Sequence, residues 1–324
     1  NTVQQANVII RKKQTHADFV AYLHACCFSP VKSTFRMAIK KGFFKTWPEL
    51  TTQLVDKHLN TSPATIKGHM IQKKSNLQST KARVINNKHP IEDLCDRTKK
   101  MSINNANNHI IPPIDNDFHP SSDIPNKKTN EVICAVIDRT DMSVGFIDQC
   151  GRFPQRSSRG NEYIIVAYHY DGNAILATAT KDRTAQSLTN AWQEIHDQLE
   201  ASGNKPDIYI LDNEKSNEII EAFNRNNVKY QLCPPYSHRS NLAERAIQTF
   251  KSHFKSGLAT CDPNFPLCEW DRLLPQAILT LNLLRASRTN PRISAYTYIF
   301  GEYDFRSTPL APPGTRVITH IKAH

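Results

Sequence analysis

Between Ser143 and Ala286 the spacing of apolar residues switches between a period of two and a period near 3.6, and the order of those switches confines the chain to few folds. Ser143 to Gln149, Tyr163 to Tyr170 and Ala174 to Thr178 read as strands. The last two are separated by Asp171-Gly172-Asn173, which is hairpin-turn chemistry. Leu188, Ala191, Trp192, Ile195 and Leu199 then recur at helical spacing, with Gly203 closing the helix. Asp207 to Leu211 reads as a short buried strand ending at Asp212, Glu218 to Phe223 as a helix, and Val228 to Leu232 as a strand stopped by Pro234-Pro235. Helices follow over about Asn241 to Leu258 and about Arg272 to Ala286. Three strands, helix, strand, helix, strand predict an α/β fold: a meander feeding helix-crossover strands, in a mixed five-stranded sheet flanked by helices.

The charge lies elsewhere. Of 41 basic and 30 acidic residues in the 324-residue chain, 20 and 9 fall in residues 1–130, which therefore carry the whole formal excess of +11; residues 131–324 hold 21 of each. That N-terminal part reads as helices over Ala17 to Cys27, Val31 to Lys41, Trp47 to Leu59 and Ala64 to Met70, the last begun by Thr61-Ser62-Pro63. Basic clusters surround them, and such an excess points towards a polyanion, most simply nucleic acid. Phe43, Phe44 and Trp47 stand among the lysines, where they are expected as core rather than as stacking platforms. From Met101 to Asn130 seven Asn and four Pro, with little apolar periodicity, mark a linker. The expected organisation is a helical basic region over 1–100, a linker over 101–130, an α/β core over 131–300 and a C-terminal extension over 301–324.

No apolar run approaches the ~20 residues of a membrane helix, and no secretion leader is read at Asn1. The eight cysteines form no C-x-x-C pair and are too sparse for a disulfide scaffold, so reduced thiols in an intracellular protein are expected. His16, His24, Cys26 and Cys27 invite zinc, but adjacent cysteines do not readily reach one tetrahedral ion, and separate buried thiols explain them better.

Three carboxylates stand out by position. Asp148 lies near the end of the first strand, Asp212 at the end of the fourth, and Glu244 in the first turn of the helix after the fifth. If the first and fourth strands are neighbours, these groups meet at one sheet edge, an oxygen set suited to Mg²⁺. Two such ions would activate an attacking oxygen and stabilise a leaving oxygen in phosphodiester chemistry. Taken singly each has a plain role: Asp148 and Asp212 as turn residues, Glu244 as the N3 position of a capping box begun by Asn241. On the same helix Glu244, Gln248, Lys251 and Lys255 form a polar stripe beside an apolar one made by Ala243, Ile247, Phe250, Phe254 and Leu258. Lysines aligned with a metal-site carboxylate are suited to gripping phosphates beside the reacting bond.

The run Leu211-Asp212-Asn213, the stretch Pro234 to Asn241 leading into Ala243-Glu244-Arg245-Ala246-Ile247, and Asp148 upstream resemble the retroviral-type integrase core of copia-type retrotransposon Gag-Pol polyproteins. Gly151-Arg152-Phe153-Pro154, Ser294 to Gly301 and Thr308 to Gly314 extend the resemblance to about Ser143–Ile321, and the N-terminal part resembles the region upstream of such cores. The resemblance implies an RNase H-like fold and a D, D, E triad at Asp148, Asp212 and Glu244 holding Mg²⁺ or Mn²⁺, two ions in all. It implies 3′-end processing by water, then strand transfer of element DNA into target DNA, by a homo-oligomer acting in the nucleus on host DNA. Arg239, Gln248, Lys251 and Lys255 are the expected DNA-binding residues. Three departures stand beside it. Only 31 residues separate Asp212 from Glu244, Glu214 replaces the usual Gly after Asp-Asn, and the family's paired His and Cys of a zinc module are not readable. Asp138 and Asp141 rival Asp148 as first ligand, which is preferred because a strand delivers it directly. The alternatives are an element-derived protein that only binds nucleic acid, and an RNase H-like nuclease that cuts without joining.

Overall fold

The computed structural model describes residues 15–70, 142–211, 216–232 and 242–315. Asp138, Asp141, Asp212, Glu214, Arg239 and the linker over 101–130 lie outside the described residues.

Five strands form one sheet: β1 (Val144–Gln149), β2 (Tyr163–His169), β3 (Ala174–Thr180), β4 (Ile208–Leu211) and β5 (Lys229–Leu232). Their order is β3-β2-β1-β4-β5, with β1 antiparallel to β2, β2 antiparallel to β3, and β1, β4 and β5 mutually parallel along the sheet. This is the mixed, helix-flanked arrangement expected from the order of elements. The β2–β3 turn falls on Asp171-Gly172-Asn173 as predicted, with Asn173 at φ +51°, and a Cβ at Gly172 would fall 2.8 Å from the Tyr298 ring.

Alternation along β1 divides its side chains between two cores. Val144 and Phe146 join Val166, Tyr168 and Ile175 beneath helices α7 (Leu242–Thr260) and α8 (Leu274–Leu283). Ile147 joins Ile165 and Leu176 on the opposite face, where α5 (Ala185–Ala201) and α6 (Asn217–Arg225) supply Trp192, Ile195 and Phe223. Both crossover helices are capped by hydroxyls: Thr184 accepts from Ser187 N and Ser216 from Ile219 N.

Four helices precede the sheet: α1 (His16–Cys26), α2 (Lys32–Lys40), α3 (Thr52–His58) and α4 (Pro63–His69), with Pro63 in the first turn of the last. The helix expected from Trp47 begins only at Thr52, because Thr51 caps it through Leu54 N and Glu49 at φ +50° breaks the path before it. Trp47 packs instead against Phe305, with ring centroids 4.3 Å apart, and Phe44 is buried with it, so both are core as expected. These helices are not set apart from the sheet. Gln276 of α8 donates to the carbonyls of Cys26 and Ala311, at 3.0 and 2.7 Å. The hydroxyl of Ser256 on α7 donates to Ser29 O at 2.7 Å, and a Cβ at Gly68 of α4 would fall 2.4 Å from Ser256. Phe28, at φ +64°, lies against Gly257 and stacks on the ring of His253, 5.3 Å away. Burial pushes the His253 imidazole down to about 3, and its Nε2 lies 3.0 Å from the Thr280 hydroxyl.

A 3₁₀ helix over Leu267–Leu273, carrying Trp270, clamps the loop between β1 and β2. Trp270 stacks on Phe153 at 4.2 Å and donates through Nε1 to Gln155 O, while Ser158 N donates to Cys268 O. Asp271, fully buried, accepts from Arg159 Nε at 2.9 Å and Asn161 Nδ2 at 2.7 Å. Burial pushes its carboxyl up, but the hydrogen bonds from Arg159, Asn161 and Ser157 outweigh that and hold it below the usual range.

Two stability measurements check this packing. Gly257→Ala would gain about 1 kcal/mol of helix propensity, but its Cβ would sit 1.7 Å from the Phe28 ring. The clash dominates, and a net loss of roughly 1–3 kcal/mol is expected in urea unfolding; an unchanged or raised midpoint would show that Phe28 does not rest there. Asp271→Ala should lower stability by about 1–3 kcal/mol by leaving the part-buried Asn161 amide without its acceptor, whereas a midpoint equal to wild type would rule out the clamp.

Candidate functional site

The parallel pair β1–β4 is where the sheet changes direction. From β1 the chain turns to one side, into β2 and β3, and from β4 to the other, into β5. In open α/β sheets the crevice outside the carboxyl ends of two such strands is the usual ligand position. Here β1 and β4 run in register, Val144 beside Ile208 and Phe146 beside Ile210. Asp148 is the fifth residue of β1, half-buried, with Oδ1 accepting from Gln149 N at 2.7 Å. Leu211 ends β4 immediately before Asp212. Ile147, Asp148 and Leu211 border a cavity of about 280 Å³, walled by Leu188 of α5 and Ile219 of α6. A recess therefore does open at this strand edge.

Helix α7 lies along the other side of β1. Its buried stripe, Ala243, Ile247, Phe250 and Phe254, presses into the core shared with Phe146 and Val166. That orientation leaves Glu244, Gln248, Lys251 and Lys255 exposed, the polar stripe expected from their spacing. Cys150, one residue beyond β1, ties strand and helix together. Its buried thiol is pushed up to about 11 by burial, with the Lys251 ammonium pulling it down and the Asp148 carboxylate pushing it further up. Cys150 shares a core cluster with Ile247, Phe250 and Phe254, so the end of β1 packs against α7.

The donors offered here are hard oxygens, Asp148 on the strand and Glu244 on the helix. The nearby sulfur is buried in an apolar cluster. That chemistry fits Mg²⁺ or Mn²⁺ and does not suit a thiophilic ion. Among the described residues no group of three His, Cys, Asp or Glu is gathered as a metal site, and Asp212 is outside that set. Of the four N-terminal residues weighed for zinc, three have packing roles: His24 Nε2 lies 2.7 Å from Pro30 O, Cys26 Sγ donates to Leu310 O, and Cys27 is fully buried, while His16 is exposed beside the His58 ring.

Sequence reasoning missed Arg183. It follows β3, borders the same cavity and donates through Nε to Gln149 Oε1 at 2.9 Å, beside Asp148. Nothing in its local spacing signals this, because a long-range strand pairing brings β3's end towards β1.

Several solved structures are similar at low identity. One is the simian T-cell lymphotropic virus intasome in complex with PP2A regulatory subunit B56 gamma, 18% identical, with a TM-score of 0.40 over 55% of this chain. This chain spans 60% of the length of that one. Another is the catalytic core domain of BIV integrase, 14% identical over 48% of this chain and 92% of that one, TM-score 0.36. The HTLV-2 integrase catalytic core domain in complex with magnesium is 19% identical over 48% and 95%, TM-score 0.38. No curated protein matches the sequence significantly. Residues 141–263, the stretch that holds Asp148, Asp212 and Glu244, match the family model described as DDE superfamily endonuclease.

Proposed function

We propose that this chain is a retrotransposon integrase, a metal-dependent polynucleotidyl transferase that processes the 3′ ends of element DNA and joins them to target DNA. The observation that carries it is the placing of Asp148 at the carboxyl edge of the β1–β4 pair, with the exposed Glu244-to-Lys255 stripe of α7 packed along the same strand. The family match over residues 141–263 supports nucleic-acid chemistry for the same stretch.

In this proposal Asp148, Asp212 and Glu244 hold Mg²⁺ or Mn²⁺, two ions, which when bound activate the attacking oxygen and stabilise the leaving oxygen of a phosphodiester. The chain's own residues do the positioning. Lys251 and Lys255 project from α7 in line with Glu244 and grip phosphates flanking the scissile bond as point charges. Gln248, between Glu244 and Lys251 on the stripe, donates a neutral hydrogen bond to the DNA backbone, and Arg239 adds a further phosphate contact just before the helix. Rigid anchoring of α7 by its buried stripe fixes these groups relative to the strand, so the DNA is oriented before reaction rather than during it. Water is the nucleophile in end processing; the newly formed 3′-hydroxyl is the nucleophile in joining. The copia-type Gag-Pol origin, a homo-oligomeric assembly on two DNA ends and action in the nucleus belong to the same proposal.

The test uses labelled duplexes carrying the element's own terminal sequence, the full chain and Mn²⁺. Asp148→Asn, Asp212→Asn and Glu244→Gln should each lower strand transfer by at least about 100-fold, or 2.7 kcal/mol in the barrier, while DNA binding survives. Undiminished transfer in any of them would remove that residue from the site. Cleavage without joined products in wild type would leave the nuclease alternative in place of integration.

A further inference from the structure

Residues 131–324 hold equal numbers of acidic and basic side chains, so a polyanion can be held there only by a local basic surface. The α7 lysines supply part of one. The loop between β1 and β2 carries three further arginines, Arg152, Arg156 and Arg159, and their pairing is unequal. Arg159 is committed to the buried Asp271. Arg152 and Arg156 share a single carboxylate, Glu162, at 2.9 and 3.8 Å, and both remain about two-thirds exposed while Glu162 is 18% exposed. Two guanidiniums on one carboxylate leave a surplus positive charge at the surface.

That surplus is not needed to hold the loop. Phe153 stacked on Trp270, the indole hydrogen bond to Gln155 O and the backbone bond from Ser158 to Cys268 already fix it. Exposed ion pairs of this kind contribute about 0–1 kcal/mol. The loop's course also matters. It leaves β1 at Cys150, which is buried in one cluster with Ile247 and Phe250 of α7, and Phe153 then packs against Phe254 of α7, with centroids 6.2 Å apart. The arginines therefore sit on a rigid ridge beside the α7 segment from which Lys251 and Lys255 project.

We propose that Arg152 and Arg156 form a second phosphate grip, which continues the Lys251–Lys255 stripe and holds the DNA backbone on the β1–β2 side of the candidate site. It rests on the reading of this chain as a DNA-processing protein. Guanidinium forks suit phosphate oxygens, and Glu162 pairs with both when DNA is absent. Arg183 flanks Asp148 from the opposite, cavity-lined side and is not part of this grip.

The experiment is fluorescence anisotropy of a labelled duplex against the full chain at several salt concentrations between 50 and 200 mM. Each phosphate contact contributes about 0.9 to the slope of log affinity against log salt. Arg152→Ala with Arg156→Ala should reduce that slope by about 1–2. Arg225→Ala with Lys229→Ala removes the same charge from exposed positions at the opposite end of the parallel strands and should leave the slope unchanged. If the alanine pair does not fold, Arg152→Gln with Arg156→Gln keeps the side-chain stems and is read in the same way. A loop variant with the wild-type slope, or a control that loses as much, overturns the grip while leaving DNA processing intact. Wild type that fails to bind DNA overturns both.

Discussion

Strand β1 is hydrogen-bonded on both edges, antiparallel to β2 and parallel to β4, and the geometry of the candidate site is set from it. The antiparallel edge turns the chain into the β2–β3 hairpin; the parallel edge demands a helical crossover before β4 can pair. Together they place a half-buried carboxylate at the point where the sheet's connections diverge. Alternation along the same six residues sends Phe146 to the α7 side and Ile147 to the α5 side, so a shift of one residue would exchange the two cores. That constraint fixes where Asp148 lies more firmly than any contact of its own side chain.

Helix α7 is the second rigid element, and its support comes partly from far away in sequence. Phe28, Ser29 and Gly68 of the N-terminal helical region close on Gly257, Ser256 and His253. A region that stands out in sequence for its charge therefore also contributes packing. It braces the carboxyl half of the helix that presents Glu244, Lys251 and Lys255. Closely apposed backbones leave α7 little freedom to rotate, and rotation would move its polar stripe away from β1.

Much of this architecture was legible in the sequence because it is written in local periodicity. The three-strand meander, the Asp171-Gly172-Asn173 turn and the α7 stripe follow from period and turn chemistry alone. The 3₁₀ helix over Leu267–Leu273 was not, since seven residues centred on one Trp carry no repeat to read. Nor was the false helical start at Trp47, whose apolar side chain satisfies a helical pattern but is claimed by Phe305, 258 positions later in the numbering. For the candidate site, residue type and position picked out Asp148 and the exposed stripe. Arg183 and Arg156 escaped notice, and Arg152 was read only within a resembling stretch, because their place beside Asp148 and α7 arises from strand pairing and a stacked Trp–Phe contact, neither of which leaves a local signature.

In the proposed function Asp148, Asp212 and Glu244 converge on one divalent-metal site at the carboxyl edge of β1 and β4. Anomalous diffraction from crystals of the full chain grown with Mn²⁺ tests it most directly. Manganese is expected at that edge, ligated by carboxylate oxygens of these three residues. Manganese held with Asp138 in place of Asp148, or bound only away from the edge, would contradict it.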